Sequence, residues 1–134
     1  MLLESALFTY LSTYAGITAL IGARVYHIYA PPQATKPYLT YQRLGSEFID
    51  VFGDTITLRK VSIGVAAIAT TDLEAATLRV QVMTALHSYS GMMGGGAGVK
   101  VHAAIANDIS EDFDFETKTY IVPMEFLVWA EEGI

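Results

Sequence analysis

The sequence predicts an α+β domain, in which a mixed, mostly antiparallel sheet of about five strands carries two helices on one face. Apolar residues recur at helical spacing in two segments, and in five others they alternate with polar or small residues. Short connections join most of the strand segments, which favours antiparallel pairing. The predicted order is therefore helix, strand, strand, strand, helix, strand, strand. With 134 residues, the chain is expected to form one domain, residues 1–134, with a sizeable core.

The first helix is predicted from an apolar stripe near the start of the chain. Its members have the spacing of neighbours on one helix face: Leu3, Leu7, Tyr10, Leu11 and Tyr14. Polar residues such as Glu4 and Thr9 lie on the other face. Gly16 is the predicted end of this helix, because glycine readily takes the left-handed conformation that ends helices.

The second helix is predicted from a capping box followed by another apolar stripe. Thr71 is the predicted cap residue, and Glu74 stands where a carboxylate completes the box. The helix is expected to run to about residue 89 and to stop at Gly91. Its predicted core face consists of Leu73, Ala76, Val80, Met83 and Leu86.

Five segments have the two-residue alternation of half-buried strands. They are residues 25–29, 38–43, 56–69, 99–106 and 118–130. Pro31 and Pro32 end the first segment, because neither residue has an amide proton to give to a sheet. Residues 45–54 hold four large apolar side chains bracketed by glycine and aspartate, and we expect a loop or a mobile hairpin tip there. The glycine-rich residues 92–98 are expected to form a flexible connection.

The composition favours burial between subunits over membrane insertion or nucleic-acid binding. Charged residues make up 16% of the chain and the mean hydropathy is +0.38, so its surface is expected to be more apolar than that of a typical soluble domain. The longest weakly polar run, residues 61–71, is far shorter than a membrane-spanning helix, and no membrane partner is expected. The net charge of −6 argues against tight binding to DNA. The absence of cysteine excludes disulfides and thiol chemistry.

Several segments superficially resemble chemical motifs, but each fails a requirement of its class. Residues 91–100 follow a predicted helix and precede a strand, which is the reverse of the order around a phosphate-binding loop. The acidic residues of 108–116 lack the central glycine and the register of a calcium loop. His27, His87 and His102 show no paired spacing for a metal. The sequence therefore predicts no catalytic, cofactor-binding or metal-binding residues, no cofactor and no enzyme activity.

The region of residues 20–43 contains a pattern that points to a family. It reads Arg24-Val25-Tyr26, then Ala30-Pro31, then Pro37-Tyr38-Leu39-Thr40-Tyr41-Gln42-Arg43, after a helix and a Leu-Ile-Gly turn. In these motifs and in the order of its later elements, the chain resembles the tail-completion proteins of long-tailed phages, also called tail terminators or tail-to-head joining proteins. The resemblance covers nearly the whole chain. Residues 92–98 depart from it, because such proteins usually carry a shorter segment there.

The resemblance implies a structural virion protein of a phage or prophage, without catalytic activity. It implies a ring, expected to be hexameric, that caps the finished tail tube and offers a surface to the head connector. The implied partners are other copies of the chain, the tail-tube protein and the connector protein, while DNA passes through without specific binding. The implied location is the virion, at the interface of tail and head, after assembly in the host cytoplasm.

Two sets of residues are candidate sites for such a role. The first set consists of apolar residues on glycine-flanked segments, which either fold back onto the core or contact a neighbouring subunit or tail-tube ring. These residues are Phe48, Ile49, Val51, Phe52, Met92 and Met93. The second set, Asp112, Asp114 and Glu116, is expected on a solvated hairpin tip that either faces the channel or docks a basic partner.

Two alternatives to the ring subunit stay open. One is a small dimeric α+β domain that binds a ligand or acts as an enzyme, for which the sequence shows no clear set of convergent polar groups. The other is a different component of the neck or tube of the virion. Native mass measurement separates the first alternative from a ring, and the neighbouring genes separate the second.

Overall fold

A computed structural model describes residues 2–49 and 56–133, which form three helices and seven strands. In chain order these are α1 (Leu3–Thr13), α2 (Ala15–Ile21), β1 (Val25–His27), β2 (Tyr38–Ile49), β3 (Ile56–Ala69), α3 (Asp72–Leu86), β4 (Gly91–Met93), β5 (Val99–Ile109), β6 (Asp112–Asp114) and β7 (Thr119–Gly133). The predicted α+β class is confirmed. The element count differs, because the sequence prediction lacked the helix α2 and the three-residue strands β4 and β6.

All seven strands form one mixed sheet with the order β1-β2-β3-β7-β5-β4, and β6 also pairs with β7. β1 runs parallel to β2, and every other pair among the described strands is antiparallel. β3 and β7 are paired along their whole length, from Ile56 opposite Gly133 to Ala69 opposite Tyr120. These two long strands therefore form the centre of the sheet, and positions along β7 locate the surfaces described below.

The core lies between the sheet and the helices. α3 packs on β3, β5 and β7, whereas α1 packs on β1, β2 and β4. The short helix α2 packs against α1 and α3. The strand alternation places the predicted residues of β3 and β7 in this core: Val61, Ile63, Val65, Ala67, Val122, Met124, Phe126 and Val128. The core faces of the two central strands are therefore confirmed.

The predicted end of the first helix is wrong. α1 stops at Thr13, Tyr14 is extended, and α2 begins directly afterwards with Gly16 inside it. A Cβ atom on Gly16 would lie only 2.1 Å from the Gln81 side-chain oxygen of α3. Gly16 therefore lies where α2 faces the Gln81 side chain of α3 and does not end a helix.

The predicted core face of α3 is wrong at Leu73 and Val80, which are exposed, whereas Leu86 is buried and Met83 is half-buried against the core. The predicted cap is confirmed. The Thr71 side chain accepts a hydrogen bond from the Glu74 amide at 3.2 Å. The helix ends at Leu86, not near residue 89, and Gly91 begins β4. The buried residues are Ala75, Leu78, Val82, Ala85 and Leu86, whereas Leu73 is 77% exposed. Both faces of this helix carry apolar residues, so its periodicity alone could not select the buried one.

The predicted loop at residues 45–54 is wrong for its first half. β2 continues through this stretch to Ile49 and pairs with β3 as far as Leu58. A bulge between Arg43 and Gly45 shifts the register there, which disrupts the simple alternation of the strand. Residues 50–55, including Val51 and Phe52, lie outside the described residues.

Candidate assembly surfaces

The distal half of β2 and the start of β3 form a surface that we call the hairpin arm, residues 44–49 and 56–60. Phe48 is 62% exposed on this arm, and the guanidinium of Arg59 lies 4.5 Å from the centre of its ring. Ile49 is half-buried. β1 pairs only with Leu39–Tyr41, so within the described residues no strand covers the edge of β2 along the arm. Open sheet edges pair readily with other chains, and the arm offers such an edge beside an exposed aromatic ring.

A buried ion cluster fastens the base of the arm to the rest of the domain. Glu132 of β7 is 1% exposed and accepts hydrogen bonds from Arg43 at 2.8 Å and 2.9 Å. Its carboxylate also accepts from the backbone amide of Leu3 at 2.7 Å, and Arg59 lies 3.5 Å away. Arg43 forms a second ion pair with Glu4 of α1. The cluster therefore joins α1, β2, β3 and β7 at one point.

The surroundings of Glu132 stabilise its charged form. Burial alone raises the pKa of this carboxyl group, but hydrogen bonds from Arg43 and the Leu3 amide, together with the charges of Arg43 and Arg59, outweigh burial and lower the pKa overall. Glu132 also caps α1, because the Leu3 amide is one of the free donors at that helix N-terminus. No local pattern in the sequence indicates this cluster, since Glu4, Arg43 and Glu132 lie far apart along the chain.

The two methionines of β4 have opposite environments. Met92 is 46% exposed, whereas Met93 is 1% exposed and belongs to the core. β4 pairs with β5, which places Met92 opposite Lys100. A Cβ on Gly98 would lie 1.9 Å from the carbonyl oxygen of Met93, so the glycine-rich stretch is a tight turn between two paired strands. Of the two, Met92 is the side chain that this edge presents to a partner.

The predicted acidic residues lie around the turn between β6 and β7. Asp112 and Glu116 are exposed, and Asp114 is half-buried. The carboxylate of Asp114 accepts a hydrogen bond from the Glu116 amide at 3.0 Å. That bond, together with the Thr117 hydroxyl, lowers the pKa of Asp114. Asp112 likewise accepts a hydrogen bond from the Phe113 amide at 2.8 Å. Both aspartates therefore have one local bond, and Asp112 and Glu116 are the more exposed of the three carboxylates.

An aromatic cluster that the sequence reasoning missed lies among these acids. Phe113 makes edge-to-face contacts with Phe115 and Tyr120, with ring centres 5.0 Å and 4.9 Å apart. Phe115 is 83% exposed, which is the largest exposed fraction among the large apolar residues in the described part of the chain. The available signal was the alternation of aspartate and phenylalanine from Asp112 to Phe115, which indicates a short strand with one apolar face.

These aromatic residues form one wall of a cleft that we call the α3 groove. The other wall is the first half of α3, and the lining comprises Asp72, Ala75, Ala76, Arg79, Glu111, Asp112, Phe113, Phe115, Tyr120 and Val122. Three carboxylates and one guanidinium therefore surround an apolar floor. The Nε–H of Arg79 is buried without an acceptor among the described residues.

The histidines have separate structural roles in the described part of the chain. His87 accepts a hydrogen bond from the Ala106 amide at 3.1 Å, and His27 stacks on Tyr41. His102 lies 3.2 Å from the Glu131 carboxylate. Over residues 2–49 and 56–133, no group of three His, Asp or Glu side chains is placed to hold a metal ion. None of the helices described there has the length and apolar character to cross a membrane.

Comparisons with known proteins place this architecture in a family. A family model described as tail completion protein gp17 matches residues 5–131. A chain from the solved structure titled "Virion of native gene transfer agent (GTA) particle" superposes with a TM-score of 0.74, at 16% identity, over 97% of this chain and 95% of that one. At that identity, the likeness shows a common fold. No curated protein sequence matches the chain. Since the family model spans nearly its whole length, the chain belongs to the family of tail completion protein gp17 and is a structural protein of the phage virion tail.

Proposed function

We propose that this protein is the subunit of a ring, expected to be hexameric, that caps the tail tube and joins the tail to the head connector. The observation that carries the proposal is the match of the tail completion family over residues 5–131. In this role the protein acts through contacts with neighbouring proteins, without a cofactor and without catalysis. Its partners would be other copies of itself, the tail-tube protein and the connector protein.

The distribution of surfaces supports this proposal. The hairpin arm lies beside the last residues of β7, while the acidic turn and the α3 groove lie beside its first residues. A joining subunit needs contact surfaces in more than one direction, because it meets other copies, the tube and the connector. We assign the tail-tube contact to the hairpin arm, where Phe48 is exposed and none of the described strands pairs with the outer edge of β2.

The charge distribution supports passage of DNA without binding. The net charge is −6, and residues 108–116 carry five carboxylates and no basic side chain. Phosphate groups are repelled by such a surface, whereas tight binding requires a basic one. DNA could therefore move past an assembled ring without being held.

Electron microscopy of tails assembled with and without this protein tests the proposal. We expect one ring of extra density at the end of the tube that meets the head, and failure of tails to join heads when the protein is missing. Native mass spectrometry of the isolated ring should give six subunits. A dimer at all concentrations, with no density at the tube end, would count against the proposal and favour the alternative of a small dimeric domain.

A further inference from the structure

The α3 groove combines an apolar floor with a rim of three carboxylates and the guanidinium of Arg79, so the rim is acidic on balance. Phe115 projects into solvent at its edge, and Phe113 and Tyr120 continue the apolar surface inward. The carboxylates of Asp72, Glu111 and Asp112 are exposed around it. A segment that binds this groove should therefore carry an apolar side chain next to a positively charged one. The residues that connect these two side chains should be small.

The β4–β5 hairpin of the same chain has this chemistry. Met92 and Lys100 are paired across the two strands and are both exposed. Lys100 is the only charged residue between His87 and Val101, and the connecting turn consists of glycine and alanine. Methionine is flexible and packs well against aromatic rings, so Met92 suits Phe115 and Lys100 suits the acidic rim.

The two surfaces cannot meet within one subunit. Lys100 lies opposite Glu131 near the end of β7, whereas the groove is lined by Tyr120 and Val122 near its start. Strand residues rise about 3.3 Å each, so roughly 30 Å separates the two surfaces along β7. Complementary surfaces at opposite ends of one subunit produce head-to-tail contacts, and such contacts close into rings when the rotation between subunits allows it.

We propose that the α3 groove of one copy binds the β4–β5 hairpin of the next copy, with Met92 on the aromatic floor and Lys100 against Glu111 and Asp112. This inference rests on the proposed ring and names the contact that builds it. The hairpin arm then remains available to the tail tube.

Cysteine cross-linking tests the contact directly, because the chain contains no cysteine. The double variant Met92→Cys/Phe115→Cys, treated with a short bis-maleimide in assembled rings or particles, should give a ladder of covalent oligomers that ends at the ring size. Each single variant should stay monomeric on a denaturing gel. The matched control is Met92→Cys/Tyr29→Cys, because Tyr29 is exposed but lies outside the α3 groove and the hairpin arm. This control should also give no ladder.

Charge reversal provides a second measurement that does not depend on cross-linker geometry. Lys100→Glu and Asp112→Lys should each weaken assembly at least about tenfold, because each places like charges together. The double variant should recover most of this loss. Lys60→Glu combined with Asp112→Lys is the control. It should not recover ring formation by the isolated protein, because Lys60 lies on the hairpin arm next to Trp129 and outside the β4–β5 hairpin.

Each outcome bears on the inference in a distinct way. Rings without a ladder in the double variant and without recovery in the charge pair would overturn the contact while leaving the proposed ring intact. Cross-linked dimers from a single variant would indicate a symmetric contact and would also overturn it. A wild-type protein that forms no ring, alone or on tails, would overturn the proposed function and this contact together.

Discussion

At the residue scale, Glu132 is the charged residue that is buried in the described part of the chain. It is buried, it is bonded to Arg43 and to the Leu3 amide, and it lies next to Arg59. Buried charges are tolerated when their partners are complete, and removing one partner leaves the others uncompensated. The cluster therefore determines how α1 and the hairpin arm are held relative to each other.

We expect Glu132→Gln to lower the free energy of unfolding by about 3 kcal/mol, because Arg43 and Arg59 lose their buried counter-charge. Urea denaturation followed by circular dichroism measures this loss. Glu131→Gln is the matched control, since Glu131 is the neighbouring residue but is partly exposed, and it should cost less than about 1 kcal/mol. Equal effects in the two variants would contradict the assigned role of Glu132.

The lowered pKa of Glu132 also predicts a pH dependence. A carboxyl group with a folded pKa below its ordinary value of 4.5 contributes its full stability above that value. The contribution is lost as the pH falls below 4.5 through the folded pKa, because the unfolded state takes up the proton first. We expect the urea midpoint of the wild type to fall over this range, and that of Glu132→Gln to fall less. Parallel curves would show that Glu132 is not the group responsible.

At the element scale, α3 joins the core to the candidate groove. Its inner face contacts β3, β5 and β7, and its outer face carries Leu73 and Val80 in exposed positions. Small residues on the inner face, Ala75 and Ala85, let the helix lie close to the sheet. The helix α3 therefore has one apolar face in the core and a second apolar face on the protein surface.

Leucine-to-alanine substitutions on the two faces of α3 should lower the free energy of unfolding by very different amounts. Leu78→Ala and Leu86→Ala remove buried side chains and should each cost about 2 to 5 kcal/mol of unfolding free energy, because each leaves a cavity. Leu73→Ala makes the same chemical change at an exposed position and should cost less than about 0.5 kcal/mol. Thermal or urea unfolding of the three variants compares them directly. A large loss for Leu73→Ala would contradict the helix register described above.

The cap of α3 should contribute a smaller amount. Thr71→Ala removes the hydroxyl that accepts from the Glu74 amide and should cost about 1 kcal/mol. Thr77→Ala serves as the control, because the Thr77 hydroxyl bonds only to the Leu73 carbonyl within the exposed part of the helix, and alanine is the better helix former. Urea midpoints should therefore decrease for Thr71→Ala alone.

At the scale of the whole molecule, we expect the hairpin arm to contribute to assembly but not to the stability of the fold. The arm extends the sheet at one end, and Phe48 lies outside the hydrophobic core. Replacing Phe48, Ile49, Val51 and Phe52 by serine should leave the domain folded but weaken attachment to the tail, because the apolar contact area is lost. Tyr29→Ser is the control, since Tyr29 is exposed on a different segment. Unfolding curves and counts of joined particles measure the two effects, and normal particles from the serine variant would contradict the assignment.

Much of the fold could be predicted from the sequence, for reasons visible in particular elements. The two-residue alternation of β3 and β7 identified their core faces, because each face of a strand is defined by every second residue. The Thr71 cap was recognisable because its partners lie within one turn. The family was recognisable because its motifs lie close together, in the segment from Arg24 to Arg43.

The tertiary structure alone decided features that depend on distant residues. Which face of α3 is buried depends on the sheet beneath it, since both faces are apolar. The contact of Gly16 in α2 with the Gln81 side chain of α3 depends on the packing of two helices that are far apart in the chain. The Glu132 cluster and the α3 groove join residues that are far apart in the chain, so no local pattern could reveal them. Periodicity thus determined the elements of this protein, while packing between distant segments determined which of their surfaces stay open to partners.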